Sequence, residues 1–96
     1  MEEIPLIGGN ELFNAEKTIS KLLSEIEMNS GVSVFINRKF YSYAIIQSEN
    51  IVNCILNSTQ GNRFYYNGIK FYVVDDGDEK PRIWFARPCQ LHSLFE

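Results

Sequence analysis

This 96-residue chain is short of the side chains from which most recognisable sites are built. It holds one histidine, His92, and two cysteines, Cys54 and Cys89. A structural zinc site takes four ligands in paired spacing. Cys89-Gln90-Leu91-His92 supplies half of such a set, with no second pair elsewhere, so no metal is expected. A Cys–His nucleophile pair needs a third group to orient the imidazole, and nothing in the sequence marks one. Two cysteines so far apart make no disulfide framework. No G-x-x-x-x-G-K or G-x-G-x-x-G run is present to cradle a phosphate. The acidic turn Asp75-Asp76-Gly77-Asp78-Glu79 lacks the alternating ligands and distal glutamate of an EF-hand loop, which leaves it a solvated turn. The expectation is a protein without cofactor and without enzymatic activity.

Long apolar runs and excess positive charge are missing as well. The opening MEEIPLIGGNE carries acids where a signal peptide carries Lys or Arg, and Pro5 interrupts its apolar residues. No stretch approaches the ~20 apolar residues of a membrane span. A reduced, soluble, cytoplasmic protein is the simplest expectation, with no membrane partner. The formal net charge of −3 gives the whole molecule no pull toward nucleic acid or anionic lipid. What remains is ordinary for a globular domain: 45% hydrophobic and 22% charged residues. We therefore read residues 1–96 as a single domain. A domain of this size buries about 60–65% of its unfolded surface and has a net stability of ~5–10 kcal/mol.

Residues 1–9 read as a loop or edge extension ending in Gly8-Gly9. Asn10 is then placed to cap a helix, with Glu11 in its first turn. Leu12, Ala15, Ile19, Leu22, Leu23 and Ile26 recur at three- and four-residue steps, the stripe of an amphipathic helix. Asn29-Ser30-Gly31 ends it, with Gly31 suited to a left-handed residue. From Val32 the period changes to alternation. Val32, Val34 and Ile36 face one way and Ser33, Phe35 and Asn37 the other. Asn37-Arg38-Lys39 interrupts, and bulky residues resume from Phe40 to Ile46. This predicts a β-hairpin reaching about Gln47, although residues from Ser42 onward also suit a helix. Ser48 caps a short helix whose buried face is Ile51, Val52, Ile55 and Leu56, and Cys54 falls on its apolar side as a small core residue.

The stretch NRFYYNGIKFYVV, residues 62–74, carries the strongest local signal. Asn67-Gly68 between two aromatic runs predicts a two-residue type I′ hairpin, because both turn residues need positive φ. Pairing Tyr66 with Ile69 places Phe64, Tyr66, Ile69, Phe71 and Val73 on one face and Arg63, Tyr65, Lys70, Tyr72 and Val74 on the other. After the acidic turn, Arg82 to Arg87 reads as a further strand that Pro88 stops. Residues 88–96 form a loose tail presenting Leu91, Leu94 and Phe95. The order helix, hairpin, helix, three-stranded meander predicts an α+β fold. In it, an antiparallel sheet of about five strands carries two helices on one face.

Such a sheet leaves its second face to solvent or a partner. With Phe64 and Phe71 under the helices, that face holds Arg63, Tyr65, Lys70 and Tyr72, joined by Trp84 or Phe85 according to register. Tyr–Lys and Tyr–Arg pairs across a ladder also serve sheet stability alone. The RNA-recognition signature K/R-G-F/Y-G/A-F-V-x-F/Y is absent. The Tyr-Asn-Gly-Ile hairpin and compact single-domain plan resemble small accessory proteins of phages and other mobile elements. The expected function is a protein-binding module, such as an inhibitor, adaptor or immunity-type protein, that acts by occlusion through Arg63, Tyr65, Lys70, Tyr72, Trp84, Leu94 and Phe95. Two alternatives use the same surfaces: a single-stranded nucleic-acid binder contacting phosphates through Arg63, Lys70 and Arg82, and a subunit that self-associates through a strand edge or the 91–95 tail.

Overall fold

The computed structural model of the chain describes residues 2–8, 13–26, 31–58 and 61–87. Expectations resting on Asn10, Glu11 and Leu12, on Asn29-Ser30, on Thr59-Gln60 and on the 88–96 tail lie outside those residues. The elements run β1 (Glu2–Glu3), α1 (Ala15–Glu25), β2 (Ser33–Asn37), α2 (Arg38–Gln47), α3 (Glu49–Leu56), β3 (Arg63–Tyr66), β4 (Ile69–Val74) and β5 (Ile83–Ala86). The class is α+β, with one mixed five-stranded sheet in the order β1-β5-β2-β4-β3. No helix among the described residues is long and apolar enough to cross a membrane.

Three expectations about this architecture are corrected. The sheet is not purely antiparallel, since β2 and β4 run parallel while every other neighbouring pair is antiparallel. The hairpin expected across residues 32–47 is a strand followed by a helix, which raises the described helices from two to three. The reason lies at Asn37, whose side chain accepts a hydrogen bond from the Phe40 amide and caps α2. Beyond it Phe40, Tyr43, Ala44 and Gln47 repeat at helical spacing, so the aromatic and β-branched content there reflects core contact rather than a strand. The helical crossover then lets β4 return parallel to β2. Finally, the last three strands make no meander. β3 and β4 form the hairpin, but β5 steps past β2 and pairs on its far side.

Local chemistry explains the element ends. Asn14, rather than a residue further upstream, caps α1, its side-chain oxygen accepting from the Lys17 amide at 2.8 Å. Ser48 caps α3, accepting from the Ile51 amide at 3.3 Å. Asn67 and Gly68 sit at φ 50° and 77°, as a type I′ turn requires. The hairpin register is Tyr66 with Ile69, Phe64 with Phe71, and Arg63 with Tyr72.

The core lies between one sheet face and the helices. Val34, Ile36, Phe64, Tyr66, Ile69, Phe71 and Ile83 from the sheet meet Ala15, Ile19, Leu22, Phe40, Ala44 and Ile51 from the three helices. Phe64 stacks on Phe71 at 5.2 Å between ring centroids, and Phe13 packs on Phe40 at the same separation. Cys54 is half-buried against this cluster with a free thiol. Among the described residues, the opposite sheet face receives no helix of the core cluster.

Candidate binding face

The strand registers put the remaining sheet residues in rows. One row crosses all five strands as Glu3, Trp84, Phe35, Tyr72 and Arg63. The row beside it reads Ala86, Ser33, Lys70 and Tyr65. Arg63, Tyr65, Lys70, Tyr72 and Trp84 therefore stand on one surface, with Phe85 turned to the helical side. Strand alternation puts them there, because their neighbours Phe64, Phe71, Ile83 and Phe85 are drawn into the core. Leu94 and Phe95 lie outside the described residues.

The rings and cations of this face are packed on each other. Phe35 and Tyr72 stack at 5.0 Å with 15° between their planes. The Lys70 ammonium sits 5.3 Å from the Tyr72 ring centre and 5.9 Å from that of Tyr65. At the other end the Arg82 guanidinium lies 4.7 Å from the Trp84 ring centre. Such contacts contribute roughly 0.5–1 kcal/mol each at exposed positions. Tyr65 stays 62% exposed and Arg63, Lys70, Tyr72 and Trp84 are half-buried, while Phe35, Ser33 and Ala86 of the same face are buried.

Charge divides the face into two ends. Arg82 is held by three carboxylates: Glu3 at 2.6 Å, Asp78 at 3.6 Å and Asp76 at 3.7 Å. The hydrogen bond to Glu3 is the main cause that raises the guanidinium pKa above its ordinary value. The β1–β5 end is thus neutralised or acidic. Among the described residues, the ion pairs of Arg82 and the Arg38–Asp75 pair leave Arg63 and Lys70 without a carboxylate, so the β3–β4 end is positive.

The pattern at the end of β2 ties the face to the acidic loop. Residues 75–82 must cross over the end of β2 to carry the chain from β4 to β5. Asn37, fully buried there, holds the crossing in place. Its amide nitrogen donates to the Lys80 carbonyl at 2.7 Å and toward Asp76 at 3.3 Å, and its oxygen accepts from the Arg82 amide at 3.0 Å. The acidic turn is accordingly a structural bridge whose carboxylates also meet Arg82 and bond to nearby amides. Among the described residues no group of three or more His, Cys, Asp or Glu is placed to hold a metal ion.

Sequence reasoning missed several residues. Phe35 joins the aromatic row only because β2 is the central strand, and its place in the alternation was the available signal. Asn37 stands in the sequence as part of a polar interruption, with nothing local to mark its buried role. Ile45 and Ile46 on α2 and Leu56 on α3 are exposed, at 41%, 80% and 75%. The run of bulky residues predicts a strand for the two isoleucines and helical spacing predicts a core place for Leu56, and the fold bears out neither. Compared with protein-family models, curated proteins and solved structures, the chain matches none.

Proposed function

We propose that the chain is a small non-enzymatic binding module whose open sheet face docks a protein partner and acts by occlusion. The carrying observation is that Trp84, Tyr72, Arg63, Lys70 and Tyr65 share one sheet face, which among the described residues receives no helix of the core cluster. Its side chains offer contact area and charge rather than bond-making groups, and Tyr, Trp and Arg carry the energy of many protein interfaces. A cytoplasmic setting goes with the free thiol of Cys54.

The same packing favours protein over single-stranded nucleic acid. Base stacking needs open ring faces. Here Phe35 and Tyr72 turn their faces to each other, and cations cover one side of Tyr65, Tyr72 and Trp84. Arg82, one of the three cations that a phosphate contact would use, is engaged by carboxylates.

The test is a tagged capture from the source cell's lysate, with and without nuclease, using wild type beside Tyr65→Ala and Tyr72→Ala. A stoichiometric protein should survive nuclease and be lost from both variants, while their circular dichroism stays that of wild type. Retention by both variants would remove the sheet face from the interaction. Recovery that collapses after nuclease, together with binding that weakens steeply with salt, would put the nucleic-acid reading in its place.

A further inference from the structure

We propose that the outer edge of β3, which pairs with no other strand among the described residues, is a homodimer interface, pairing antiparallel with the β3 of a second copy so that the two sheets become one. This concerns the edge of the sheet; Arg63 and Tyr65 also stand on the proposed binding face, so the variant at Leu56, on α3, separates the two readings. The ladder fixes which groups point outward. The Val73 amide donates to the Asn62 carbonyl, and Tyr66 pairs with Ile69 across the closing turn. In an antiparallel pair, hydrogen-bonded positions alternate. Asn62, Phe64 and Tyr66 therefore bond inward to β4, and Arg63 and Tyr65 turn their N–H and C=O groups out. Consistent with this, the Arg63 carbonyl accepts a hydrogen bond from the Ser58 hydroxyl, which lies beyond the sheet. One lone pair of that carbonyl remains for a second donor.

Several observations select a second copy as the occupant. A two-fold axis through Phe64 sets Arg63 of each copy opposite Tyr65 of the other. Both pairs exchange main-chain bonds, and each puts a guanidinium beside a tyrosine ring. Tyr65 is the exposed ring of the described residues and already accepts a cation, Lys70, on its own chain. The helical side of the same edge is apolar too. α3 packs along β3, and Leu56 at its end, two residues before Ser58, is 75% exposed. An exposed ring thus stands on β3 and an exposed leucine ends the helix packed against it, whereas monomeric proteins usually guard such an edge with Lys, Pro or a covering segment. The symmetric register brings no like charges directly opposite each other.

The test is sedimentation equilibrium over a dilution series from high to low micromolar protein, for wild type, Tyr65→Pro and Leu56→Lys. Proline at position 65 removes an outward donor that the β3–β4 ladder does not use, so the hairpin tolerates it. Leu56→Lys leaves the strand untouched and puts a charge in each copy at the end of the helix packed on β3. Wild type should dimerise, and both variants should raise the dissociation constant at least tenfold while keeping the wild-type circular dichroism. Should Tyr65→Pro unfold, Leu56→Lys decides alone. A wild type that stays monomeric at every concentration overturns the proposal, whatever other strand it captures, as does a dimer that survives Leu56→Lys.

Discussion

At the scale of single residues, Asn37 supports more of the fold than any charged side chain. From a fully buried position, its oxygen serves two amides and its nitrogen a carbonyl and a carboxylate. Asn37→Ala removes a helix cap and strands the Arg82 amide and the Lys80 carbonyl, so it should cost about 3 kcal/mol in urea denaturation. Asn37→Ser keeps a capping oxygen and should recover about 1 kcal/mol of that loss. A cost within experimental error for the alanine variant would mean that the loop crossing holds without it. Tyr66 supplies a pH-dependent counterpart. Burial first, then Glu16 and Cys54, raises its phenol above the ordinary 10.0. The folded state therefore keeps its proton longer than the unfolded chain. That contribution is fully present below about pH 10 and is lost as pH rises through the raised value. The stability difference between wild type and Tyr66→Phe should be flat up to about pH 10 and then move against wild type. A difference that stays flat to higher pH would contradict the shift.

At the scale of elements, the 62–74 hairpin and the residues flanking α2 mark the limits of local reading. The hairpin was legible because its turn chemistry, pairing and burial all point one way: Asn67 and Gly68 take positive φ, and alternation alone divides core rings from surface rings. Gly68→Ala forces a Cβ into φ 77° and should cost upwards of ~1 kcal/mol by thermal or urea denaturation. A neutral result would mean that the turn relaxes to another type. Residues 38–47 were not legible in the same way. Phe40, Tyr41, Tyr43, Ile45 and Ile46 favour strands as isolated residues. What decides for helix is the Asn37 cap and the room that α1 and α3 leave for Phe40 and Ala44. Gln47 adds a tertiary tie, accepting from the Ala15 amide at 2.7 Å and donating to the Phe13 carbonyl at 3.0 Å. Local propensity carries no trace of these contacts. The grouping of Arg63, Tyr65, Lys70 and Tyr72 on one face was legible for the opposite reason, since it depends only on the hairpin register.

At the scale of the whole molecule, strand order is set by pairings between distant parts of the chain. β2 is central, yet both of its neighbours follow it in sequence, after a helical crossover on one side and a loop crossing on the other. A meander and this arrangement differ only in where β5 docks, and its own residues suit either neighbour. That is why the class was readable and the topology was not. The same order has a kinetic consequence. The hairpin closes over two turn residues, while β5 docks only once β2 lies in place beside β4, and such non-local pairing slows folding toward the millisecond-to-second range. Trp84, the only tryptophan, sits on β5 and reports that docking. In stopped-flow chevrons, Gly68→Ala should act mainly on the folding rate, with φ of ~0.5 or more. Ile83→Val, which removes a buried methyl from β5 at a cost of about 0.5–1.5 kcal/mol, should act mainly on unfolding, with φ of ~0–0.3. If Ile83→Val slowed folding as much as Gly68→Ala did, β5 would belong to the nucleus, and the central trio β4-β2-β5 would assemble in a single step.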